Sequence, residues 1–484
     1  MNSSKKTYII IIIILFVIYV LLFFSNLNDY FIADELDFFE MQEKSPFYFL
    51  YQGFNKKYYR PLALAFLHGM YYLFYFNPIP YHLISIILHV SNSILIYHIS
   101  RRFFKKESTS IIVLFITVIF VALYFEAIIW IASYFELLFV LSCLISIEFF
   151  LKYIDSEKKE IKYFIFSNIF VTVGYLFKES TFFLFLGYLL YEIVQYDFFD
   201  LDNLWNNLKD LVRKNLIYLT YIPLIILLFL GRFVINAQLE STISQFFEPQ
   251  TLLLLIGGAG AAIVLYWIFV KKLNDNNLKL ILIFTISYTF LCFFHIKSRI
   301  FYLPCLIGAI SLGYIFEYFD FNLFSWINEF KSIKKKKNIL SIFLIIGIIF
   351  TSGFFIIYQK NVYKFLSTST YNICRTLDLV PNGDQKNIYI LNLNYLGGYY
   401  FGLVDVFFEA ELYLRHKKDY NITIAYINVG DTSLYSLNNR AIPLSIDEYN
   451  LLANTTINPN NVCFLFLSQS MTLKNITNLN YSQW

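Results

Sequence analysis

Long apolar runs, each closed by charged or aromatic residues, recur along the first three-quarters of the chain and then stop. TYIIIIIILFVIYVLLFF (Thr7–Phe24) and NILSIFLIIGIIFTSGFFIIY (Asn338–Tyr358) are examples. About 20 apolar residues cross a hydrocarbon core as a helix, and lipid offers no partners for backbone amides, so such runs must be helical. The pattern predicts about 11 spans. They fall at Thr7–Phe24, Pro80–Ser100, Thr109–Phe125, Ile128–Tyr153, Tyr163–Phe177, Thr181–Tyr196, Leu216–Leu230, Thr251–Val270, Leu280–Phe294, Ile300–Tyr318 and Asn338–Tyr358. The first external loop, 25–79, is long and aromatic, and Pro46–Phe54 suits the membrane interface. After Tyr358 the period changes. IYILNLNY (Ile388–Tyr395), ITIAYINV (Ile422–Val429) and VCFLFLS (Val462–Ser468) read as short buried strands, and Val404–Lys417 as a helix. The expected architecture is an all-α polytopic membrane domain over 1–358, followed by a small extracytoplasmic α/β domain over 359–484. No tetratricopeptide period recurs in that tail.

Composition agrees with this reading. Hydrophobic residues make up 58% of the 484 positions and charged residues 15%, whereas a soluble chain is nearer half and a quarter. The net charge of +4 says less than its placement. Lys5 and Lys6 could open a signal peptide, but the run that follows is too long and no small-residue cleavage site succeeds it; it reads as a retained first span. Basic residues crowd alternate loops: Arg101, Arg102, Lys105, Lys106; Lys152, Lys158, Lys159; Lys209, Arg213, Lys214; Lys271, Lys272; Lys331, Lys334–Lys337. The positive-inside rule puts these loops and the N-terminus in the cytoplasm, and an odd number of spans puts the tail outside. The expected location is the cell (inner) membrane, multi-pass, with membrane lipids as partners and no nucleic acid. The five cysteines form no metal pattern. Cys374 and Cys463, both in the tail, are the pair an oxidising compartment would allow to bond.

Ionisable groups against this bias, or near the spans, carry the functional information. The outward ends hold Asp34, Glu35, Asp37 and Glu40, then Lys56, Lys57 and Arg60, then Glu126 before Trp130, with Glu136 deeper in the next span. Lys178 and Glu179, Arg232, and Lys297 with Arg299 follow. A lone Lys or Arg here is ordinarily a snorkelling side chain and a lone Asp a helix cap. As a set, acidic groups after the first span and cations at later outward ends suit an anionic head group beside an acid–base carboxylate. His82 and His89 lie seven apart on one helix without HExxH, which favours packing. No cofactor and no metal site are expected, although a divalent ion stays open.

The segment Tyr58–Phe103, through Arg60-Pro61-Leu62, Asn77-Pro78, Tyr81-His82-Leu83 and His89, resembles the first outer loop and second span of GT-C glycosyltransferases. Within that superfamily it is most similar to the protein O-mannosyltransferase-like group that includes the transmembrane-and-tetratricopeptide mannosyltransferases. EAIIWIASYFELL (Glu126–Leu138), LFKES (Leu176–Ser180) and SRIFYLPC (Ser298–Cys305) resemble three further family segments, in order. The chain departs from the pattern where the family's His-Pro is Val121-Ala122, where a basic residue is Tyr134, and where a Glu is Ser298.

The resemblance implies a GT-C-like fold and transfer of a sugar from a polyprenyl-phosphate carrier to a protein, glycan or lipid acceptor on the outer face, with inversion. It implies that the acidic residue after the first span is the general base, here Asp34 with Glu35 beside it. Arg299 is the first candidate for the carrier phosphate, because a guanidinium grips two oxygens; Tyr302, Lys178, Arg60 and Arg232 follow. Glu126, Glu179 and His82 are supporting candidates. Three rivals stand beside this reading: an O-antigen ligase or polymerase type of lipid-linked-sugar enzyme, a polysaccharide or lipid transporter, and a scaffold. A transporter places charges at the midplane, and Glu148, near the inner end of its span, is the main such residue.

Overall fold

The computed structural model describes residues 3–31, 60–156, 160–178, 302–318 and 336–379, five strands of the tail, and single positions between 181 and 191 and after 450. Eight long helices are described: α1 (Ser3–Phe23), α2 (Pro61–Phe74), α3 (Pro78–Phe103), α4 (Glu107–Ile129), α5 (Tyr134–Asp155), α6 (Ile161–Phe177), α7 (Tyr302–Tyr318) and α8 (Lys336–Asp378). The spans expected at Leu216–Leu230, Thr251–Val270 and Leu280–Phe294, the interfacial segment Pro46–Phe54 and the helix Val404–Lys417 lie outside the described residues.

Three described helices are long and apolar enough to cross a membrane: Pro78–Phe103, Glu107–Ile129, and Ile131–Asp155, which includes the 3-10 turn before α5. Their boundaries have local causes. Asn77 caps α3, its side chain accepting from the Ile79 amide at 3.3 Å, and Pro78 follows at the first helical position, where a missing N–H costs nothing. Pro61 opens α2 in the same way. Trp130 and the 3-10 turn Ile131–Ser133 link α4 to α5, and the Trp130 amide closes α4 on the Glu126 carbonyl at 3.1 Å. The helix α2 was not anticipated within the external loop. It is a 14-residue element, too short to span.

The helices bury one face and expose another. On α1, Leu15, Tyr19 and Phe23 are buried, whereas Ile10, Ile13, Ile14 and Leu21 are exposed. A face of exposed Ile and Leu is the kind lipid, not water, solvates. α3, α4, α5 and α7 pack around a common core, α6 lies along α5, and α8 lies along α4. α7 approaches closely at Gly313. A Cβ there would come within 2.6 Å of both Phe104 Cζ and Val113 Cγ2.

A polar network runs through the middle of this core. His89 Nδ1 and the Tyr302 hydroxyl are 2.7 Å apart, Asn92 Nδ2 donates to that hydroxyl at 2.9 Å and to the Leu137 carbonyl at 3.1 Å, and Tyr19 and Ser93 hydroxyls meet at 3.4 Å. These polar groups join α1, α3, α5 and α7 where lipid would leave them unsatisfied.

α8 is 43 residues long. At about 1.5 Å per residue it is roughly twice as long as a hydrocarbon core is thick, and it continues without a break past Tyr358. Beyond it, the tail contains a five-stranded sheet in the order β3-β2-β1-β4-β5. The strands β1 (Asn387–Leu391), β2 (Asn421–Ile427) and β4 (Asn461–Leu467) fall where the apolar pattern placed them; β3 (Ile442–Leu444) and β5 (Thr472–Asn475) are additional. β1 is parallel to β2 and β4, β3 is parallel to β2, and β5 is antiparallel to β4. β5 packs against α8. Cys374 and Cys463 are buried thiols and are not bonded to each other; burial pushes the Cys463 thiol up to about 12.

Candidate active site

Polar groups collect at the end of the bundle where α1 leaves, α3 begins, α4 turns into α5 and α6 ends. By the charge of the loops, this is the end expected to face outward. The opposite end holds Glu148, whose Oε1 is 3.4 Å from both His98 Nε2 and Arg102 Nε and 3.3 Å from Lys152 Nζ, while Arg102 also pairs with Asp155 at 3.3 Å. Glu148 therefore belongs to an ion cluster among the basic residues, not to a midplane site.

At the first end, Lys178 and Glu136 form a buried ion pair between the end of α6 and the first turn of α5. Glu136 is thus in the first turn of α5 and buried there. The pair is positioned by the antiparallel α5–α6 packing. Its turn is tied by Lys178 N–H to the Gly174 carbonyl at 2.8 Å and by the Thr181 hydroxyl to the Lys178 carbonyl at 2.9 Å. A Cβ on Gly174 would meet Thr181 Oγ1 at 3.0 Å, so the glycine permits this closure. One carboxylate already neutralises Lys178, which leaves it a weaker phosphate ligand than an uncompensated cation.

Arg60, at the cap of α2, lays its guanidinium over the Phe135 ring, 4.6 Å from the centroid, an arrangement that keeps charge while covering apolar surface. α2 is held across the helix ends by Phe66 against Tyr134, centroids 5.2 Å apart, and the Tyr134 hydroxyl donates to the Tyr81 carbonyl at the start of α3. Tyr134, which stands where the family has a basic residue, is therefore a packing strut. Glu126 and Trp130 are buried in the α4–α5 turn, at 8% and 3% exposure. His82 Nε2 is 3.0 Å from the Asp29 carbonyl. A carbonyl only accepts, so Nε2 carries the proton.

Arg60, His82, Glu126 and Lys178 thus gather at one end. Tyr302 does not join them: it is fully buried in the bundle interior, its hydroxyl engaged by His89 and Asn92. Asp34, Glu35, Glu179, Arg232 and Arg299 lie outside the described residues. Sequence reasoning passed over Asp29, Lys360 and Lys364. The two lysines are four apart on α8 beyond its apolar stretch, a spacing that places them on one face. Reading the helix as ending with the apolar run concealed them. Among the described residues no group of three or more His, Cys, Asp or Glu is arranged to hold a metal ion.

The helices and this charged end define the class: a helical membrane protein with polar groups gathered at one end of its bundle. The family model described as Dolichyl-phosphate-mannose-protein mannosyltransferase matches residues 60–235. That segment holds the motifs at Arg60, Asn77, Tyr81, Glu126 and Leu176, so the resemblance read from them is borne out; the Ser298–Cys305 motif lies beyond it. No curated protein matches the chain at a significant level. Among solved structures, ArnT from Cupriavidus metallidurans in the apo state is similar at 12% identity and TM-score 0.48, covering 97% of this chain and 94% of that one. ArnT bound to undecaprenyl phosphate is similar at 13% identity and TM-score 0.43, covering 95% and 94%.

Proposed function

We propose that the protein transfers a sugar from a polyprenyl-phosphate carrier to an acceptor hydroxyl on the outer face of the membrane, with inversion. The observation that carries this reading is the family match over residues 60–235, whose motif residues Arg60, His82, Glu126 and Lys178 lie at one end of the bundle. The family's description names dolichyl-phosphate-mannose, a sugar on a polyprenyl phosphate, and the same donor class is proposed here.

The chemistry asks for two things. The acceptor hydroxyl is a poor nucleophile, and a carboxylate within hydrogen-bond reach takes its proton as the new C–O bond forms; Asp34, with Glu35 beside it, fills that role. As the bond from the sugar's anomeric carbon to the phosphate oxygen breaks, the departing phosphate gains negative charge, which cations stabilise selectively in the transition state. Arg299 takes this part, with Arg60 and Arg232 as further ligands. No cofactor enters the reaction. A transporter finds less support, since Glu148 sits in the ion cluster at the basic end.

The test is to incubate purified protein with a panel of polyprenyl-phosphate sugars and an extract of candidate acceptors, and to measure free polyprenyl phosphate. One donor should release it. Asp34→Asn should reduce release by about a hundredfold or more while leaving donor binding intact. Full activity in Asp34→Asn, Glu35→Gln and Asp37→Asn alike would remove the glycosyltransferase reading.

A further inference from the structure

The inner face of α3 carries a stripe of polar residues: His82, Ser85, His89 and Asn92. Steps of three and four residues put them on one side of the helix, along about 15 Å of its axis. None is more than 4% exposed. His82, His89 and Asn92 each spend part of the side chain on a partner, the Asp29 carbonyl for the first and the Tyr302 hydroxyl for the other two. Each keeps a second buried atom that no described group matches: His82 Nδ1, His89 Nε2 and Asn92 Oδ1. Ser85 Oγ is unmatched as well. Elsewhere in these helices a hydroxyl bonds the carbonyl four residues back, as Ser91 does to Ile87 and Ser142 to Leu138, both at 2.9 Å. Ser85 would use the Tyr81 carbonyl, which the Tyr134 hydroxyl already engages.

The hydrogen-bond network assigns the protons. His82 donates through Nε2 to a carbonyl, so its Nδ1 is a bare acceptor. The Tyr302 hydroxyl receives Asn92 Nδ2 at 2.9 Å, and its own proton goes to His89 Nδ1, 2.7 Å away, the acceptor in reach among the described residues. His89 therefore carries its ring proton on Nε2, as an unmatched donor. Asn92 gives its amide protons to Leu137 and Tyr302, which leaves Oδ1 an unmatched acceptor. From the outward end inward the stripe reads acceptor, hydroxyl, donor, acceptor. Buried polar atoms in proteins are matched with few exceptions, and surrounding hydrocarbon makes an unmatched one costlier. Helical neighbours three or four apart have Cβ atoms roughly 5–6 Å apart, close to the span of a water hydrogen-bonded on both sides.

A second feature meets the stripe at its deep end. α4 leaves helical geometry at Tyr124, with φ −128° and ψ 26°, although Glu107–Ile129 contains neither Pro nor Gly. A kink without them marks a helical ladder entered by a side chain or a water. The Tyr124 hydroxyl donates to the Thr117 carbonyl at 2.6 Å. Its ring lies 5.6 Å from that of His89 and 4.9 Å from that of Tyr302, and the Tyr19 ring of α1 closes on His89 at 4.4 Å. We propose that the inner face of α3 binds a file of ordered waters, running from His82 at the outward end to the surroundings of the Tyr302 hydroxyl, with His82 Nδ1, Ser85 Oγ, His89 Nε2 and Asn92 Oδ1 as its protein partners. Water fits this set, because donors and acceptors are mixed and none is charged, so neither an anion nor a cation is selected. Nothing in the site depends on the transfer reaction.

The experiment is radiolytic footprinting of the full-length protein in lipid nanodiscs, with X-ray-generated hydroxyl radicals and oxidation rates read for each residue by mass spectrometry. Radicals formed from a resident water oxidise the ring beside it, whatever that ring's access to bulk solvent. The reference is Tyr188, which is as deeply buried and whose hydroxyl meets that of Ser146 at 2.8 Å. Tyr302 and Tyr19 should oxidise severalfold faster than Tyr188. Ser85→Val replaces the hydroxyl with methyl groups and narrows the track, and should bring the Tyr302 rate down to that of Tyr188 with helical content unchanged. Equal rates at Tyr302 and Tyr188 in wild type mean a dry interior and overturn the proposal, a comparison that holds even where the Val variant fails to insert. Fast oxidation of Tyr302 that Ser85→Val leaves untouched overturns the continuous file. Mixing with heavy-oxygen water just before the pulse should place the heavy isotope on Tyr302; the light isotope alone overturns the opening at the outward end.

Discussion

Lys178 is the residue whose role the structure changes most. In sequence it is a cation in an outer turn, a natural ligand for a carrier phosphate. In the structure it is buried against Glu136, with a further approach to the Phe139 ring at 5.8 Å. Removing one partner of a buried pair strands the other charge, at a cost of about 3 kcal/mol or more, whereas removing both is much milder. Lys178→Ala and Glu136→Gln should each lower the melting temperature in detergent, and the double variant should lie well above the sum of the two losses. If Lys178→Ala instead melts like wild type and loses donor affinity, Lys178 is a phosphate ligand and the pairing with Glu136 is incidental. Glu136 was visible in the sequence as an acidic residue near a span. Its partner was not, because two residues 42 positions apart meet only when α5 and α6 pack antiparallel.

Among the elements, α7 depends on a single close approach. Gly313 sits where a methyl group would overlap both Phe104 and Val113. These belong to the end of α3 and to α4, so the overlap is with packed side chains, and it cannot be relieved by one flexible tip. Gly313→Ala should destabilise the protein by about 1–3 kcal/mol, read as a lower melting temperature and lower yield of inserted protein, with kcat per folded molecule unchanged. Wild-type melting would mean that α7 stands off from α4 by more than the observed spacing. Hydropathy placed α7 well, since Ile300–Tyr318 and Tyr302–Tyr318 nearly coincide. It misjudged α8, because an apolar criterion stops at Tyr358 while the backbone remains helical through YQKNVYKFLSTSTYNICRTLD. That amphipathic extension carries Lys360, Ser367 and Tyr371, which contact the Leu22 carbonyl and Tyr30 at the α1 exit.

For the molecule as a whole, the sidedness of its charges makes an experiment simple. If the basic loops face the cytoplasm, the end that gathers Asp29, Arg60, Glu126 and Glu136 faces outward. A phosphatase reporter fused after Trp484 should then be active, and a cytoplasm-dependent reporter at the same point silent; the reverse would place the candidate site on the wrong face for a lipid-carried donor. The membrane class and most of the described helix positions follow from the sequence alone. The physical reason is that lipid imposes its thickness and its demand for satisfied backbone groups on each span separately. Three strands in the tail were legible for the same kind of local reason, as short apolar runs between turn residues such as Ile422–Val429, while their parallel pairing was not. The family resemblance was legible too, because its motifs are contiguous: Asn77-Pro78 both caps α3 and marks the family. The tertiary structure alone decided which charges are already spent on one another, as with Lys178 and Glu136, or Glu148 among His98, Arg102 and Lys152. It also decided that Tyr302 belongs to an interior network and that Asp29, unremarkable in a stretch of Asn and Tyr, is buried beside a helix more than 300 residues away in sequence. Pairing and burial are properties of chain crossings, and no window along the chain contains them.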